Sequence, residues 1–292
     1  KISAAFKVLE SCTLCPRNCR VNRLLGERGT CQGGYLPAVA SYAPHFGEEA
    51  PLVGRSGSGT IFFAHCNLLC CFCQNYSISH LGEGREASFE RLARMMVELQ
   101  ELGCHNINLV TPTHYAAQII EAVGRAAKMG LRVPLVYNSG GFDAVPTLRL
   151  LEGVIDIYMP DFKFGEPGPA AELCGAPDYP ETAKLALREM HRQVGDLVIG
   201  PDGLAVRGLI VRHLVLPGGL AATREVMRFI ASEISKNTYV NIMDQYYPCA
   251  GVAPRSRLGR RITPEEFAAA REIAREEGLT RALGTMGSAA QR

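Results

Sequence analysis

Gly57-Ser58-Gly59-Thr60-Ile61-Phe62-Phe63-Ala64-His65-Cys66-Asn67-Leu68-Leu69-Cys70-Cys71-Phe72-Cys73 runs from a short apolar stretch straight into a cysteine-rich loop. Cys66, Cys70 and Cys73 form a Cys-x3-Cys-x2-Cys triplet with an aromatic, Phe72, before the last thiol. Three thiolates packed this closely are a metal-binding group. A 4Fe–4S cluster held wholly by protein takes four cysteines. Three leave one iron with an open position, which is where metal chemistry takes place. The same residues also allow a structural zinc completed by His65 or His80, or a reactive thiol cluster.

Outward from this loop, short apolar runs alternate with helical spacing. Strands are expected at Thr60–Ala64, Ile107–Val110, Val133–Tyr137, Ile155–Met159, Leu209–Leu216 and Tyr239–Met243. Ser88 caps a helix with Phe89, Leu92, Met96 and Leu99 on one face. Ala183, Leu187, Met190 and Val194 mark a second helix, and Thr263-Pro264-Glu265-Glu266 opens a third with a capping box. Pro201-Asp202-Gly203 reads as the turn of a small hairpin ending near Arg207. Six βα units predict an α/β fold, an open partial (β/α)6 barrel with functional residues at the C-terminal strand ends. The first 55 residues lack periodicity and read as a loop-like, Cys-rich extension over 1–55 ahead of a barrel domain over 56–292.

The 292 residues are enough for one barrel-sized domain. Hydrophobic residues make up 47% and charged residues 21%, the balance of an ordinary globular chain. A net charge of +2 offers no electrostatic case for nucleic acid or a membrane surface, and no apolar run approaches membrane-spanning length. The chain opens on Lys1, and no signal peptide is expected. Eleven cysteines at short spacings then argue for metal rather than disulfides, and for a reducing cytoplasm.

The triplet with Phe72 resembles the signature of the radical S-adenosylmethionine (SAM) superfamily. Further matches end the expected strands: Asn138-Ser139-Gly140-Gly141, Met159-Pro160-Asp161-Phe162-Lys163, and Val211-Arg212-His213 through Pro217-Gly218. Together they resemble pyruvate formate-lyase activating enzymes. The whole chain is most similar to the PflX type of activating-enzyme-like proteins, through Cys15–Arg23, Gly57–Phe63 and Cys73-Gln74-Asn75.

The resemblance implies a 4Fe–4S cluster on Cys66, Cys70 and Cys73 that binds SAM and cleaves it reductively. The products are methionine and a 5′-deoxyadenosyl radical, which abstracts hydrogen from a substrate such as a protein glycine. It also implies an electron donor such as a flavodoxin or ferredoxin. By position, Lys163 and Arg212 would hold the SAM carboxylate, Phe72 would line the adenine pocket, and Asn75 or Tyr76 would meet the nucleoside. Asp161, Asn138, Ser139 and the Met159 carbonyl would form a monovalent-cation site, with Asn138 replacing the family's usual aspartate. Thr111-Pro112-Thr113-His114 stands where many such proteins carry Gly-Gly-Glu for the SAM amino group, so Thr111 and Thr113 are the replacement acceptors and His114 a substrate-facing candidate. Gly-Pro-Gly-Ile-Arg, which precedes the cluster in glycyl-radical activases, is absent.

Cys12, Cys15, Cys19 and Cys31 form a second group, Cys-x2-Cys-x3-Cys-x11-Cys. Its spacing fits a structural zinc or a second iron–sulfur cluster, and simple burial of some thiols is the alternative. Arg17, Arg20, Arg23 and Arg28 beside it read as a solvated basic face. Tyr246, Tyr247 and Cys249 are candidates for substrate contact or for capping the core.

Overall fold

The computed structural model describes residues 1–249 and 251–281. Among them are nine strands: β1 (Ala38–His45), β2 (Ser58–Phe63), β3 (Arg85–Glu86), β4 (Ile107–Val110), β5 (Leu135–Ser139), β6 (Ile157–Pro160), β7 (Val198–Ile199), β8 (Ala205–Leu214) and β9 (Tyr239–Met243). The strands β2, β4, β5, β6, β8 and β9 pair in parallel in that order. β9 does not pair back onto β2 among the described residues, so the expected six-stranded barrel is present and open.

The register explains how the loops meet. Phe62 lies beside Val110, Val110 beside Asn138, and Asn138 beside Met159. The strands therefore end at one level, and their C-terminal loops share one rim. Tyr137, Tyr158, Leu209 and Val211 face outward into the main core, with Leu92, Met96, Ile119 and Leu187 of the helices. Alternate residues Val136, Ile157, Met159 and Ile210 face inward with Leu52, Leu197 and Ala205.

Two expected strands begin two residues late. Pro134 has no N–H to give, and Leu135 begins β5 with its N–H on Asp156 Oδ2 at 2.9 Å. Strand β6 likewise begins at Ile157. Strand β8 starts early, at Ala205, because its first residues pair with β7 across the Pro201–Gly203 turn. The helices Phe89–Glu101, Tyr179–Val194 and Pro264–Glu276 stand at the expected places, the first capped by Ser88 and the last by a complete capping box.

The first 55 residues are less loop-like than their texture suggests. Ile2–Lys7 is helical and packs on helix Ala116–Lys128. Phe6, Tyr35 and Phe89 meet edge-on, with centroids 5.5–6.0 Å apart. Strand β1 runs antiparallel to β2 and extends the sheet. Its sequence is rich in alanine and carries Pro44, so its strand character comes from its partner and not from propensity. Among the described residues no helix is long and apolar enough to cross a membrane.

Candidate metal and cofactor site

The loop after β2 turns sharply. His65 and Leu69 both adopt left-handed backbone (φ 70° and 58°), an uncommon conformation for residues with a Cβ. The chain thereby wraps back on itself, and Leu68 N–H donates to Cys66 Sγ at 3.3 Å. Ser79 Oγ donates to Cys73 Sγ at 3.2 Å. Burial, with Cys70 and Cys73 alongside, pushes the Cys66 thiol up to about 12. An uncompensated thiolate is unfavourable here, whereas a metal would stabilise it.

These thiols line a cavity of about 410 Å³ at the C-terminal rim of the barrel. All three cysteines border it, as do Phe72, Asn75, Thr111, Asn138, Ser139, Asp161, Lys163 and Arg212. The structure thus brings these eleven expected residues into one wall, while Tyr76, Thr113 and Met159 do not line it. The volume is that of a small-molecule site.

The cations of this wall are already partnered. Arg212 donates through Nε and Nη2 to the two oxygens of Glu49, at 2.7 Å each, and its Nη2 also reaches Glu48. Asn241 Nδ2 donates to Glu49 Oε1 at 2.7 Å. Lys163 pairs with Asp161. Burial pulls the Lys163 ammonium down, but the Asp161 charge reverses this and holds it above its ordinary value. Both residues expected at the SAM carboxylate thus carry carboxylate partners within the chain. Nothing in the spacing of Glu48 and Glu49 signals this role, because they act across more than 160 positions on Arg212.

Residues of the expected cation site also carry partners within the chain. The Asp161 carboxylate serves Lys163, and the Ser139 hydroxyl donates to Asp143 at 2.6 Å. Asp143 also accepts from Thr113 Oγ1 (2.7 Å) and Tyr137 Oη (3.1 Å). Burial raises the Asp143 carboxyl, and these three hydroxyls oppose the rise. Thr113 therefore spends its hydroxyl on Asp143. Thr111 remains at the rim in left-handed backbone (φ 59°), with its N–H on the Asn138 carbonyl.

Other candidates have partners within the fold. His114 is fully buried with Nε2 3.0 Å from the Ala64 carbonyl, and burial drives its pKa down to about 3. Tyr246 is buried, edge-on to Phe72, and donates to the Leu258 carbonyl. Tyr247 lies under Arg261. His80 stacks on Tyr76 at 4.3 Å and bonds Ser79. Cys249 contacts the Phe72 carbonyl. Cys174 shows no signal in sequence, yet its Sγ lies 3.3 Å from Cys70 Sγ.

Cys12, Cys15 and Cys31 are buried and Cys19 is partly so. Burial, and then the neighbouring Cys31, Cys12 and Cys19, raise the Cys15 thiol to about 12. Arg23, 1% exposed, sits 4.0 Å from Cys12 Sγ and otherwise donates only to the carbonyls of Gly34 and His114. Among the described residues no three His, Cys, Asp or Glu side chains stand close enough to share a single metal ion. A single-ion site would need thiols drawn closer. A cubane is wider, because each cysteine binds a different iron.

The architecture is that of an open α/β barrel similar to HydG, a maturase of the FeFe-hydrogenase, with a TM-score of 0.54 and 12% identity over 82% of this chain. The chain spans 54% of the HydG chain. A structure of native anSMEcpe with bound AdoMet aligns with a TM-score of 0.48 and 9% identity, covering 75% of this chain and 61% of that one. No family model matches. Over 288 residues the chain is 31% identical to the uncharacterized protein MJ0674 of Methanocaldococcus jannaschii, covering 96% of this chain and 78% of the relative. The chain belongs to the family of that protein.

Proposed function

We propose that this protein is a radical SAM enzyme of the PflX type. The observation that carries the reading is the convergence of three, and not four, loop thiols on one rim cavity with Phe72, Asn75, Asp161 and Lys163. The donor set fits a 4Fe–4S cluster: three buried thiols, one receiving a backbone N–H and another a hydroxyl. When bound, such a cluster with one open iron position supplies the electron that cleaves SAM and starts hydrogen abstraction.

The chain's own groups perform the rest. Phe72 packs edge-on between Phe164 and Tyr246 and presents a rigid apolar wall to the cavity. Lys163 holds a positive charge at the wall, and Asp161 keeps it protonated. A carboxylate ligand would compete for that ammonium by displacing Asp161. Arg212 of β8 holds the segment after β1 to the barrel rim through Glu48 and Glu49. The proposed hydrogen donor is a protein glycine or another protein, peptide or small-molecule carbon, in a cytoplasmic setting with a flavodoxin- or ferredoxin-like reductant.

The four N-terminal cysteines are proposed to hold a second metal centre, zinc or iron–sulfur. The support is Arg23, a buried cation with no carboxylate partner among the described residues. Such a charge is costly unless an anion stands nearby, and a metal–tetrathiolate is that anion.

The test is anaerobic reconstitution followed by SAM and dithionite. The expected result is 5′-deoxyadenosine from the wild type and from Cys71→Ala, and none from Cys66→Ala, Cys70→Ala or Cys73→Ala. Fully reconstituted wild type that makes no 5′-deoxyadenosine refutes the assignment.

A further inference from the structure

Arg17 lies in the turn between Cys15 and Cys19, closed by the Asn18 N–H on the Cys15 carbonyl at 3.0 Å. Its guanidinium does not join a solvated basic face. Nε donates to the Asn67 carbonyl at 2.9 Å, and Nη2 to the carbonyls of Leu68 (3.1 Å) and Cys174 (2.8 Å). Nη1 donates to the Gly175 carbonyl at 2.6 Å. The same group lies 5.3 Å from the ring centre of Phe142. Phe142 in turn accepts Asn67 Nδ2 at 2.7 Å through its carbonyl.

These four carbonyls belong to two elements. Asn67 and Leu68 lie between Cys66 and Cys70, while Cys174 and Gly175 end the helix Pro167–Cys174. Carbonyls at a helix C-terminus lack intrahelical partners and favour a cation. The two elements meet again where Cys71 N–H donates to the Leu173 carbonyl at 2.9 Å and where Cys174 Sγ touches Cys70 Sγ. Only a planar fork of donors spans both at once. A lysine ammonium, a point charge, does not.

We propose that Arg17 is a positioning residue that makes the N-terminal cysteine turn a brace for the triplet loop, so that order in the Cys15–Cys19 turn fixes the geometry of Cys66 and Cys70. The two cysteine groups are then mechanically coupled and not separable. This rests on the reading that Cys66, Cys70 and Cys73 hold a cluster.

The experiment compares full-length, reconstituted wild type, Arg17→Lys, Cys15→Ser and the double variant. The readouts are iron loss to a chelator, the electron paramagnetic resonance signal of the reduced cluster with and without SAM, and thermal unfolding. Arg17→Lys should unfold like wild type yet lose triplet-loop iron about ten- to a hundredfold faster, the range for groups that orient metal ligands. Its SAM-induced spectral change should be weakened. Cys15→Ser should speed iron loss similarly, and the double variant should be no faster than the faster single one, because both act through one brace. Wild-type iron retention and spectrum in Arg17→Lys overturn the proposal, as do losses that multiply in the double variant. An Arg17→Lys protein that loses iron only in proportion to lowered global stability also overturns it. If wild type holds iron but shows no SAM-dependent change, the functional reading fails while the chelator rates still decide the role of Arg17.

Discussion

Glu49 shows how one residue departs from its ordinary chemistry. Its side chain is 2% exposed. Burial pushes its carboxyl up, but the Arg212 charge and the hydrogen bonds from Arg212 and Asn241 outweigh this and hold it below its ordinary value. A carboxyl depressed by folding stabilises the protein above its unfolded pKa, and that contribution is lost as pH falls through the folded value. Glu49→Gln should therefore cost about 2 kcal/mol near pH 7, since it removes charge-assisted hydrogen bonds to Arg212, which keeps Glu48 as its counter-charge. The gap from wild type should narrow as pH falls below the unfolded value and close once it has passed the depressed folded value, where both proteins carry a neutral side chain. Urea unfolding at pH 7 and pH 4 measures both; a gap that widens in acid would sink this account.

Strand ends depend on single backbone positions. Gly141 follows β5 with φ +77°, and a Cβ there would fall 2.0 Å from the Asp161 carbonyl oxygen and 2.9 Å from Tyr179 Oη. Tyr179 Oη in turn donates to the Gly140 carbonyl (2.9 Å) and accepts from the Lys163 N–H (2.9 Å), which ties the β5 and β6 ends together. Gly153 has a similar φ of +70° but open space around it. Gly153→Ala should cost only the left-handed strain, about 1–2 kcal/mol. Gly141→Ala adds a backbone clash, so it should cost more and loosen the cavity wall. Equal denaturation midpoints for the two variants would refute this reading.

At the scale of the whole molecule, residues 1–55 are part of the packing of the barrel. Strand β1 covers the edge of β2, Leu52 fills the barrel interior, and Glu49 spans to β8 and β9. Deleting residues 1–55 exposes an apolar sheet edge and leaves Arg212 buried without its carboxylates. The shortened chain should fail to show a cooperative thermal transition. A truncated protein that unfolds as one sharp transition near the wild-type midpoint would establish an independent barrel. The proposed second metal therefore belongs to the same folding unit as the rim cavity.

Much of this was legible in the chain because the signals are local. Apolar runs of strand length separated by helical spacing specify the alternating α/β order, and Cys66, Cys70 and Cys73 carry their spacing within one loop. Asn138, Asp161 and Lys163 follow the ends of expected strands, Arg212 lies within another, and the family resemblance singled out all four; the parallel register brings them to one rim. Who partners whom was not legible. The pairing of Arg212 with Glu48 and Glu49, of Ser139 and Thr113 with Asp143, and of Arg17 with four carbonyls joins positions far apart in the chain or distinguished by no spacing. The sequence by itself determined the order of elements and the three-thiol loop, since these follow from periodicity and near-neighbour spacing. Only the tertiary structure decided that the Cys-rich segment packs as part of the barrel, because buried charges are satisfied by whatever group folding brings beside them.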